Sequence, residues 1–68
     1  MTSDDRLHVH AQHASREVAR THYAARHTPT ARAAADYIEA LADFNRTRVM
    51  LGQPLINPDA RVINRFDS

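Results

Sequence analysis

Two alanine-rich stretches dominate the chain, and sharp punctuation separates them: Thr28-Pro29 lies between them, and Gly52-Gln53-Pro54 closes the second. Neither stretch contains an internal glycine or proline, and alanine is the best helix former. The first reads as a helix over about 4–27. Leu7, Ala11, Ala14, Val18, Thr21 or His22, and Ala25 recur at spacings of four and three, which makes a narrow apolar stripe. Thr2 or Ser3 suits its N-cap, Asp4 and Asp5 its first turn, and Arg26 and His27 the negative end of its dipole.

The second helix is expected over about 29–51, with Thr28 as N-cap and Pro29 at the first helical position. Ala31, Ala34, Tyr37, Ile38, Leu41, Phe44, Val49 and Leu51 share one broad face, opposite Arg32, Asp36, Glu39, Asp43 and Arg46. Gly52 fits the residue just past a helix end, and Pro54 blocks continuation. Residues 55–68 read as an ordered tail or short helix, with Asn57 as cap before Pro58-Asp59 and with Ala60, Val62, Ile63 and Phe66 on one side. The fold class is therefore all-α: a single small domain, 1–68, made of a long antiparallel hairpin and a short C-terminal piece. Folding back at Thr28 sets Ala25 against Ala31, His22 against Tyr37, Val18 against Ile38 and Ala14 against Leu41. Asn45 and Arg48 then fall on the apolar side at the open end.

Composition bears on what such a hairpin can do alone. A core built from 68 residues rarely supplies more than about 3–5 kcal/mol, and alanine buries little area per residue. There is no cysteine to staple the chain. The expectation is self-association, most simply a dimer completing a four-helix bundle, or burial of the same face in a larger complex. The acidic N-terminus is unlike a signal peptide and no apolar run reaches membrane length, so a cytoplasmic protein with no membrane partner is expected.

Enzyme motifs are missing. Gly52 is the only glycine, so no phosphate-cradling loop exists, and there is no thiol nucleophile. No catalytic residue and no cofactor is expected. All five histidines lie in the first helix, and a net charge of +1 would gain five units on their protonation. Arg6, His13, Arg20 and His27 repeat every seven residues as a basic ridge, flanked by Arg16 and Arg26.

The function that fits is a non-catalytic protein–protein interaction module: a small adaptor, inhibitor or accessory subunit of the kind phages encode. His13, Arg16 and Arg20 would be its polar contacts, with Leu51, Leu55, Ile56, Val62, Ile63 and Phe66 as apolar anchors. Asn45 and Arg48 would set register in a polar seam or reach a carboxylate, on a partner or on Asp59 or Asp67. One alternative is a nucleic-acid-associated regulator using the basic ridge, although no lysine and no stacking aromatics accompany it. A second is metal-dependent assembly through His10, His13 and Glu17, which fall within about 60° on a helical wheel.

Overall fold

A computed structural model describes the backbone of residues 3–67 and the side chains of 5–63. It is all-helical: α1 spans Ser3–His27, α2 Ala31–Met50 and α3 Ala60–Asp67. The first two helices form the antiparallel hairpin, and residues 53–59 run back as an extended strap that delivers α3 to its flank. Two cross-hairpin contacts fix the register. His10 Nε2 lies 3.3 Å from Asp43 Oδ2, and the rings of His22 and Tyr37 are 5.1 Å apart. The His22–Tyr37 layer is the one the sequence sets there.

Both caps beside a proline sit two residues later than expected. Thr30, not Thr28, caps α2: its backbone is extended, and its Oγ1 accepts the Ala33 N–H at 3.1 Å. Thr28 precedes a proline and is thereby steered away from helical angles. The Thr30 N–H instead closes a tight turn around Pro29 onto the Thr28 carbonyl at 2.8 Å. The same shift occurs at α3, where Asp59 and not Asn57 is the cap. Asp59 Oδ1 accepts the Arg61 N–H at 2.9 Å, and its carbonyl accepts the Ile63 N–H at 3.3 Å. In both places proline stands just before the cap.

The end of α2 follows expectation. Gly52 has φ of 74°, a left-handed conformation that glycine adopts without a Cβ penalty. Its N–H donates to Val49 O at 3.0 Å, and the Gln53 N–H donates to Arg48 O at 2.8 Å. These paired bonds satisfy carbonyls that the helix end leaves open and turn the chain into the strap.

The core is small. Ala14, Ala25, Tyr37, Leu41 and Val62 are buried, with Val18, Ala33 and Ala34 packed against the cluster. Val62 comes from α3, so the tail completes the hairpin's own interior. Two buried threonines return their hydroxyls to the helix backbone: Thr21 Oγ1 donates to Glu17 O at 2.6 Å, and Thr47 Oγ1 to Asp43 O at 3.3 Å. Among the described residues no buried side-chain polar atom lacks a partner, and no helix is long and apolar enough to cross a membrane.

The broad apolar face expected on α2 is two faces. Tyr37 and Leu41 point inward, while Ala31, Ile38 and Val49 are exposed. Ile38 is therefore not the layer partner of Val18. Successive residues turn by about 100°, so with Tyr37 facing the core, Ile38 is carried round to the outside.

Candidate interaction surface

The tail is held by a single carboxylate. Asp59 is 12% exposed at its side chain and meets one histidine and two arginines. His22 Nε2 lies 2.8 Å from Oδ2, and Arg26 Nη1 and Arg61 Nη2 each donate to the same oxygen at 3.2 Å. Arg61 Nε donates to Oδ1 at 3.1 Å. The Asp59 N–H donates to the Tyr37 hydroxyl at 2.9 Å. The Arg61 side chain, then His22 and the Arg61 N–H, hold the Asp59 carboxyl well below the usual carboxylate range. Two residues of α1 are thereby tied to the first turn of α3.

Asn45 and Arg48 hold the strap, one turn further along. The Asn45 amide pairs with both backbone groups of Ile56: Nδ2 donates to Ile56 O and the Ile56 N–H donates to Oδ1, each at 2.9 Å. Arg48 Nε donates to Pro54 O at 2.8 Å, and its guanidinium lies 5.6 Å from the centre of the Phe44 ring. Both side chains are spent on the chain's own backbone. Arg48 thus reaches Pro54 where Asp59 was one expected target; the Asp67 side chain lies outside the described residues.

The expected apolar anchors separate. Val62, 2% exposed, belongs to the core, so its anchoring partners are Ala25, Tyr37 and Leu41 of the same chain. Leu51 and Ile63 are half-buried, and the Phe66 side chain lies outside the described residues. Leu55 and Ile56 do face outward, at 62% and 37% exposure. They join Ile38, Val49 and Met50, which are also exposed. The Asn45–Ile56 pairing brings the strap's apolar residues alongside the outer face of α2.

The polar candidates stand elsewhere. His13, Arg16 and Arg20 are all exposed; His13 and Arg20 rim the groove between α1 and α2, and Arg16 does not. The outer stripe of α2 is on the opposite edge of the hairpin. Arg20 is also paired with Glu17, its Nη2 donating at 2.8 Å. Glu17 is engaged there and His10 is engaged with Asp43. Among the described residues no three His, Asp or Glu side chains are placed to hold a metal ion, so His10, His13 and Glu17 do not form the ligand set of the second alternative.

An open groove of about 530 Å³ runs between α1 and α2 over Ala14 and Ala40. Its walls carry His10, His13, Glu17 and Arg20 on one side and Asp36, Glu39, Asp43 and Arg46 on the other. Asp43 lies 3.3 Å from both His10 and Arg46. The groove is open to solvent along its length.

Sequence reasoning placed His22 beside Tyr37 but passed over Asp59 as the centre of the tail's attachment. The signal was an Asp-x-Arg pair next to a proline, legible only as a cap. Comparison with protein-family models, with curated proteins and with solved structures finds no match for this chain.

Proposed function

We propose that the protein is a non-catalytic protein–protein interaction module that associates through the outer face of α2 and the adjoining strap. The observation that carries this reading is that α2 is apolar on two sides. One side builds the core through Tyr37 and Leu41; the other exposes Ile38 and Val49 beside Leu55 and Ile56. A helix apolar on both sides belongs in the middle of an assembly, and contiguous exposed apolar surface rimmed by polar groups marks an interaction site. Val62 of the tail packs into the core from another direction.

The His13, Arg16 and Arg20 ridge is then a second, polar surface that stays accessible when the outer face of α2 is covered. It suits an acidic partner surface and acts mainly on association rate.

The test is association of the full chain, with itself or with a co-purifying protein, in the presence of chelator and nuclease. Val49→Asp places a charge within the proposed contact. It is expected to abolish association while leaving helicity unchanged, because Val49 takes no part in the core. Association that is indifferent to Val49→Asp, or that disappears on nuclease treatment, would refute the reading.

A further inference from the structure

We infer that the occupant of this face is a second copy of the chain, with α2 pairing antiparallel to α2 of the other protomer. The inference rests on the interaction reading above and adds the partner and its direction. Ala31, Ala35, Ile38, Ala42, Asn45 and Val49 lie at successive spacings of four, three, four, three and four. This is the seam of a two-stranded coiled coil. All are exposed except Asn45, whose amide instead ties Ile56 to the edge of the seam. With alanine at three of the six seam positions, the two backbones can approach closely.

The exposed surface leaves room for a partner. The accessible surface is 4952 Å², whereas a compact monomer of 7.7 kDa exposes about 4,300 Å². The excess, about 600 Å², approaches the roughly 800 Å² that each partner contributes to a standard interface.

Charge decides the direction. One flank of the seam carries Arg32, Glu39 and Arg46 at seven-residue intervals. The other flank carries Ala34, Leu41 and Arg48, which are occupied by the core and by the strap. A parallel pair sets each charged flank against the other copy's occupied flank, so the charges find no partner. An antiparallel pair sets charged flank against charged flank. With Ile38 opposite Val49 of the second copy, Glu39 comes within a turn of Arg46 of the second copy, and the two-fold axis makes this contact twice. Glu39 has no ion pair within its own chain among the described residues. Arg46 can leave Asp43, which keeps His10.

The chain has no cysteine, so cysteines can be introduced cleanly. The experiment measures solution mass and disulfide trapping on the full chain. A mixture of Ile38→Cys and Val49→Cys proteins is expected to give a 38–49 heterodisulfide, with neither protein cross-linking alone. Glu39→Arg should weaken self-association about tenfold or more, and Glu39→Arg combined with Arg46→Glu should restore it. Homodisulfides from each single variant would show a parallel pair and overturn the inference. So would a chain that stays at 7.7 kDa up to millimolar concentration. If that monomer still binds another protein and Val49→Asp abolishes the binding, the interaction reading stands and the second copy does not. If Val49→Asp changes nothing, both fall.

Discussion

Asp59 shows how much one side chain can organise in a chain this short. It caps α3, accepts from two arginines, lies against His22, and offers its N–H to Tyr37. Its pKa is lower in the folded protein than in the unfolded chain. Such a group adds stability that is fully present above the unfolded value, about 4 for a carboxyl, and is lost as pH falls below it toward the folded value. The docking of α3 should therefore hold at neutral pH and weaken progressively in more acidic solution. Asp59→Asn removes the charge but keeps the shape. It is expected to lower the thermal midpoint at pH 7 and to flatten the acid limb of a midpoint-versus-pH curve. An acid limb that is the same in Asp59→Asn and in the original chain would show that another group holds the tail.

At the level of elements, the strap is the piece most exposed to test. Its two backbone bonds to Asn45 are worth about 0.5–1.5 kcal/mol each. Asn45→Ala should raise amide exchange at Ile56 by about tenfold or more, with exchange in the middle of α2 unchanged. The elements themselves were legible in the sequence because alanine content, Gly52 and the three X-Pro steps are local signals. Their starts were misplaced for one repeated reason. Thr28-Pro29-Thr30 and Asn57-Pro58-Asp59 each offer a capping side chain on both sides of the proline, and in each the later one wins. Which side of α2 faces α1 was less legible. An apolar arc wide enough to hold Tyr37, Ile38, Leu41 and Val49 fits one broad face or two narrow ones, and only packing against α1 and Val62 decides. The roles of Asn45, Arg48 and Asp59 depend on where the strap returns, which helical spacing does not encode.

Taken as a whole, the molecule is a thin slab, 44 × 18 × 12 Å, with a radius of gyration of 13.1 Å. A compact domain of this length has a radius of about 11 Å. The slab has a one-layer interior in which alanine and threonine occupy much of the buried space. Its stability is expected to be linked to association, since binding that favours the folded form raises stability with concentration. The most direct measurement is the thermal midpoint of the full chain followed across a hundredfold range of its own concentration, with solution mass recorded in parallel. The expected result is a midpoint that climbs with concentration as the mass passes from 7.7 kDa to twice that value. A sharp, concentration-independent melt of a strictly monomeric chain would contradict it.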